Sequence, residues 1–163
     1  MLCKIDKYLK NIYKLSGYMA AFFLILVATF ILTGIASRIF GFYIRGLAEY
    51  SGYCMAASSF LALAYTFGEK GHIRITLFLE KSNKNIRRFL EHWCLFVATF
   101  FSGFLSFYFI KMLLISIKFQ ERSEGADEIL IWIPQVSVAL GSTIFFICVL
   151  HNFILLILKK NNN

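Results

Sequence analysis

Three histidines, four cysteines and nine carboxylates are the groups in this 163-residue sequence suited to binding metals, moving protons or exchanging disulfides. Their spacing argues against most of that chemistry. Cys3, Cys54, Cys94 and Cys148 form no C-x-x-C pair and no metal-type set, so bland buried thiols are the expectation. His92 and His151 could together ligate a haem, as in a four-helix membrane cytochrome. Single histidines also sit at helix ends without ligating anything, and that reading is favoured here. A protein that binds a charged solute inside a membrane usually places an ionisable group deep in a span, and the long uncharged stretches contain none. No catalytic residue, metal or cofactor is assigned, and the chain does not read as an enzyme.

The elements that must position these groups follow from where charge is missing. The chain is 59% hydrophobic and 16% charged, whereas soluble domains are about half apolar and about a quarter charged. Uncharged windows cover residues 15–37, 50–68, 92–110 and 129–158. A helix rising about 1.5 Å per residue crosses roughly 30 Å of hydrocarbon in about 20 residues. Lipid offers the backbone no hydrogen-bond partners, so each crossing is a helix or part of a closed barrel. Barrel strands alternate in hydropathy, and these windows do not. The expected fold is an all-α integral membrane protein, residues 1–163 forming a single four-helix domain. Its spans are about 15–37, 50–68, 92–110 and 134–158, with a cytoplasmic loop at 69–91.

Pro134 trims the last window, because a residue without an N–H suits a helix's first turn. Trp93 and Trp132 stand as interfacial anchors. Ahead of the first span, Leu2, Ile5, Leu9, Ile12 and Leu15 recur at helical spacing between Lys4, Lys7, Lys10 and Lys14. That pattern predicts an amphipathic interfacial helix on the membrane surface. Gly34-Ile35-Ala36 looks like a signal cleavage site, but a signal's apolar core is only about 7–15 residues. The first span is therefore expected to be retained.

The net charge of +8 has a direction. Twelve of the 17 Lys and Arg residues flank the termini and the middle loop, and five lie in the other two loops. The positive-inside rule then puts both termini and the middle loop in the cytoplasm. These cations border membrane spans and few aromatic residues interleave with them, so nucleic acid is not an expected partner. The third loop gathers Glu121, Glu124, Asp127 and Glu128 on the opposite side.

Small residues repeat four apart at Gly52–Ala56, Ser58–Ala62, Ala64–Gly68, Ala98–Ser102–Ser106, Thr99–Gly103 and Ser137–Gly141. Such spacing lets helix backbones approach closely in lipid, and packing within the four-helix unit explains most of it. Broad Phe faces on the first and third spans contact lipid or another subunit. The segment Gly71-His72-Ile73-Arg74 follows the second span. Its glycine permits a sharp turn, and its His and Arg can hydrogen-bond helix-end carbonyls or lipid headgroups.

At these residues the sequence resembles the small, DctQ-type permease subunit of tripartite ATP-independent periplasmic (TRAP) transporters. The resemblance rests on Glu49 opening the second span, on Gly71-His72-Ile73-Arg74 after it, and on Trp132-Ile133-Pro134-Gln135 with Gly141 opening the fourth. One departure is a single acid at Glu49, where members often carry two. The resemblance implies a multi-pass protein of the bacterial inner membrane that pairs with a large permease subunit holding the substrate and sodium sites. It also implies a periplasmic solute-binding protein delivering an organic acid, such as sialic acid or a C4-dicarboxylate. The small subunit is then a scaffold for sodium-coupled uptake. On that reading Gly71, His72, Arg74, Gly52, Ala56, Trp132, Pro134, Gln135 and Gly141 meet the large subunit or membrane phospholipids. Arg38, Arg45, Glu49, Glu121, Glu124 and Asp127 face the binding protein. The alternatives are the cytochrome with His92 and His151 as ligands and a small homo-oligomeric exporter, the latter disfavoured by the lack of a membrane-embedded acid.

Overall fold

A computed structural model describes residues 2–70, 84–125 and 128–161 of the chain. The described residues hold four helices: α1 (Leu2–Ile39), α2 (Leu47–Lys70), α3 (Lys84–Phe119) and α4 (Trp132–Asn161). Among the described residues there is no strand, only an isolated bridge between Arg122 and Leu130. Among the described residues three helices, over Tyr8–Ile39, Phe89–Phe119 and Trp132–Ile157, are long and apolar enough to cross a membrane. Helix α2 is not among them, because Ser51, Gly52, Ser58, Ser59, Thr66 and Gly68 dilute its apolar content.

The helices overrun the uncharged windows. Helix α3 begins at Lys84 and ends at Phe119, so His92 lies inside it and does not open it. Charge ends a span without ending a helix, since Lys, Arg and Glu are good helix formers whose long side chains reach toward headgroups. Helix α1 likewise continues from Leu2 through the lysine-rich lead-in without interruption. Its 38 residues reach about 57 Å at 1.5 Å per residue, far beyond one bilayer core. The expected surface-lying helix is therefore an extension of the first span. Leu9 packs on the buried cluster of Tyr13, Ala64 and Cys148, which ties the lead-in to the bundle.

Two helix ends share one cap. After α1, Phe42 N donates to Ser37 O (3.0 Å) and Gly41 N to Arg38 O (3.3 Å), with Gly41 at φ 77°. After α3, Glu121 N donates to Ser116 O (3.2 Å) and Gln120 N to Ile117 O (3.4 Å), with Gln120 at φ 49°. Both are Schellman caps, in which a left-handed residue lets the chain satisfy the last carbonyls. The α3 cap also holds Glu121, whose carboxylate accepts from Ser116 Oγ at 2.9 Å. At the start of α4, the first i to i−4 bond is Gln135 N to Ile131 O (3.4 Å). Pro134 sits in the unbonded first turn, as its missing N–H requires.

In space the order is α1, α2, α4, α3: α1 packs on α2, α2 on α4 and α4 on α3, and α1 touches α4 only slightly. The contacts of α1 with α2 step in opposite directions along the chain. Ser16 Oγ donates to Leu61 O (2.6 Å) and Ser58 Oγ to Ala20 O (2.9 Å). Helices α3 and α4 also run antiparallel, joined by Ser106 Oγ and Thr143 Oγ1 at 3.1 Å and by Gly103 against the Phe146 ring. Between α2 and α4, Cys148 Sγ donates to Ala64 O at 3.5 Å. There Gly141 comes so close that a Cβ would lie 2.7 Å from the backbone carbon of Phe60.

The packing is small inside and large outside. Buried positions include Ser16, Ser58, Ser102, Ser106, Ser142, Ala20, Ala57, Ala64 and Ala139 beside a few larger residues such as Tyr13, Leu61, Leu95 and Val149, while many large apolar side chains stay exposed. The run of exposed large apolar side chains along α1 and α3 marks contact with lipid or with partners, and in lipid small residues and hydroxyl groups drive helix packing.

Candidate functional site

The most built feature lies where α2 begins. The segment joining α3 to α4 folds back on itself, with Ser123 N donating to Ile129 O (2.7 Å) and Ile131 N to Glu121 O (3.0 Å). It then docks on the first turns of α2. Tyr53 Oη and Ser123 Oγ lie 2.9 Å apart, and Gly125 rests so closely on the Glu49 carboxylate that a Cβ there would overlap it. Glu49 is half-buried by this contact. Arg122 and Glu128 pair at 3.6 Å, both largely exposed, an arrangement that contributes little to stability. The result is a platform of Glu49, Glu121 and Glu124 fixed at one end of the helices, with Trp132 and Gln135 at its base.

The residues expected to face one partner are only partly brought together. Glu49 meets the α3–α4 segment through Gly125, and Glu121 and Glu124 lie exposed on that segment. Arg38 and Arg45 stand exposed on the neighbouring α1–α2 turn. Asp127, Gly71, His72 and Arg74 lie outside the described residues. Tyr53, Ser123 and Gly125 were not anticipated from sequence. Tyr53 shares a helix face with Glu49 at i+4, and a Ser two residues before a Gly is a turn signal, so the pieces were present without their partner.

The small-residue positions separate into two kinds. Gly141 is an internal contact, set against the α2 backbone ten residues into α4. Gly52 has open space where a Cβ would stand, and Ala48, Met55, Ser59 and Thr66 are exposed with it. Ala56, on the adjoining face, is half-buried. Among the described residues, large exposed apolar side chains number sixteen on α3 and eleven on α1 but three on α2, so the open face of α2 is unlike those of the outer helices. Gln135 Oε1 is buried without a hydrogen-bond partner. His92 on α3 and His151 on α4 are half-buried, and no group of three His, Cys, Asp or Glu among the described residues is arranged to hold a metal.

The sequence profile described as "Tripartite ATP-independent periplasmic transporters, DctQ component" matches residues 26–159. The chain belongs to the DctQ family. DctQ proteins are the small membrane component of a tripartite transporter, working with a large permease subunit and a periplasmic binding protein. The match spans the platform, α2 and the Gly141 contact, and begins within α1 after its lysine-rich lead-in. It is to a transporter component and lends the cytochrome reading no support. Membership together with membrane-spanning helices fits a multi-pass protein of the inner membrane. A comparison with curated proteins yields no match.

Proposed function

We propose that this DctQ chain is the scaffold of its transporter, fixing the large permease subunit in the membrane while that subunit carries the substrate. The observation that carries the reading is α2. It packs between α1 and α4 yet leaves Ala48, Gly52, Met55, Ser59 and Thr66 uncovered. A helix whose exposed large apolar side chains, among the described residues, are Met55, Leu63 and Tyr65 alone is a weak lipid-facing surface and a good surface for another helix. The large subunit is the occupant proposed for it, with Ala56 at the margin. Gln135, Trp132 and Pro134 extend the same contact at the platform end, where a donor from the partner would relieve the buried Gln135 oxygen. Gly71, His72 and Arg74 at the other end contribute to the large subunit or to phospholipid headgroups.

On this reading α2 is the fourth span, covered in the complex, and both termini are cytoplasmic, as the cation distribution supports. The platform of Glu49, Glu121 and Glu124 then faces the periplasmic binding protein, and Asp127, next to it in sequence, is proposed to share that role. The transport is sodium-coupled uptake of an organic acid, sialic acid or a C4-dicarboxylate, with chemistry located in the partner. Co-purification tests the core of it. If the large subunit is isolated and active without this chain, the scaffold role fails; if Gly52→Leu lowers the yield of the complex while the lone chain stays folded, the α2 face is its seat.

A further inference from the structure

We propose that the turn between α1 and α2 is a membrane-interface anchor, its aromatic rings seated at the headgroup level and Arg38 and Arg45 held by phospholipid phosphates. Ile39, Phe40 and Tyr43 are 77%, 76% and 76% exposed, with Phe42 and Ile44 exposed beside them. Large apolar side chains are driven out of water in proportion to their exposed area, so five together are strongly biased toward an apolar or interfacial medium. The turn is fixed with these groups facing out. The Schellman cap at Gly41 sets its backbone, and the Phe40 and Phe42 rings stack at 6.4 Å with 18° between planes.

The occupant follows from continuity and charge. Helix α1 is an outer helix with one principal neighbour, and its exposed face of Ile31, Leu32 and Ile35 runs directly into Ile39 and Phe40. Lys14 and Arg38 bound its uncharged stretch; at 1.5 Å per residue they lie about 36 Å apart, which sets Arg38 just beyond a hydrocarbon core of roughly 30 Å. Amphipathic aromatic residues concentrate at that depth. Arg38 and Arg45 are exposed and make no ion pair among the described residues, although carboxylates stand at the same end of the helices. An arginine fork matches a phosphate in geometry as well as charge. The sequence grouped these arginines with the acids that face the binding protein; here they flank an aromatic turn and serve lipid. The inference rests on α1 crossing the membrane and is independent of the scaffold role.

The test is a nitroxide at Tyr43→Cys, in a chain whose native cysteines are replaced, within the complete transporter in phosphatidylethanolamine–phosphatidylglycerol vesicles. Collision with oxygen should exceed collision with a water-soluble nickel chelate, and adding the soluble binding protein should change neither. Preference for the nickel chelate, or immobilisation only when the binding protein is added, overturns the proposal. Arg38→Gln with Arg45→Gln should shift the label toward the chelate; an unmoved label removes the arginines' role. If the cysteine-free chain does not fold, Tyr43→Trp in a Trp93→Phe, Trp132→Phe chain gives a second reading. Quenching by lipids brominated near the headgroup supports the anchor, and quenching by aqueous iodide alone refutes it.

Discussion

Gly141 of α4 faces Leu61 of α2 with no side chain between, so that a Cβ on the glycine would lie 2.9 Å from the Leu61 backbone nitrogen. Backbone on one side and helix on the other leave little room to yield. The same approach lets Phe60, whose Cβ also borders Gly141, carry its ring to within 5.2 Å of the Phe109 ring on α3. One glycine thus governs how two interfaces meet.

Gly141→Ala is expected to destabilise the chain by about 1–3 kcal/mol, the range for overpacking a close contact, and Gly141→Leu to prevent its folded recovery. Thermal unfolding in detergent measures both. An alanine variant as stable as the parent would show that α2 and α4 are further apart than described.

Gly52 gives the opposite pattern. Nothing lies within 4 Å of its Cβ position, so Gly52→Ala should stabilise the lone chain by up to about 1 kcal/mol through helix propensity. Gly52→Leu should leave the lone chain folded and lower recovery of the complex with the large subunit. Equal recovery for both variants would move the docking surface elsewhere.

Gln120 caps α3 from the left-handed region without being glycine. That conformation costs a non-glycine residue roughly 1–2 kcal/mol, and the Gln120 side chain recovers part of it by donating to Ile117 O at 3.0 Å. Gln120→Gly is expected to raise stability by about 0.5–1 kcal/mol, read as a higher unfolding midpoint. Gln120→Val should lower it.

Tyr53→Phe removes the hydroxyl that meets Ser123 and should loosen the platform by about 1 kcal/mol without affecting the helices. Limited proteolysis should cut near residue 123 faster while the detergent-solubilised chain keeps its helical circular dichroism. Unchanged cleavage would mean that the Glu49–Gly125 contact alone holds the segment.

Much of the fold was legible in the residues because lipid restricts the choices. Charge gaps located the helices, Pro134 marked the start of α4, and small residues four apart marked close packing. Helix ends were less legible: Glu91 and Lys111 tolerate both helix and headgroup, so they bound the apolar stretch without ending the helix. Pairing was the least legible part. Spacing shows that Gly52 and Ala56, or Ser137 and Gly141, share a face, but not which helix meets it. The order α1, α2, α4, α3 decides that Gly141 is covered and Gly52 open. The platform was half visible, since its acids and turn residues could be seen, whereas the bond from Tyr53 to Ser123 crosses 70 positions of sequence.

The spatial order also has a consequence for synthesis. Helices α1 and α2 emerge first and can join at once through Ser16 and Ser58. When α3 leaves the ribosome, its main neighbour does not yet exist, and α2 still lacks its second one. Only α4, which follows them in the chain, joins both. A nascent chain halted before residue 132 would therefore hold a finished hairpin and a solitary helix, and the bundle becomes a single unit only once α4 has been made.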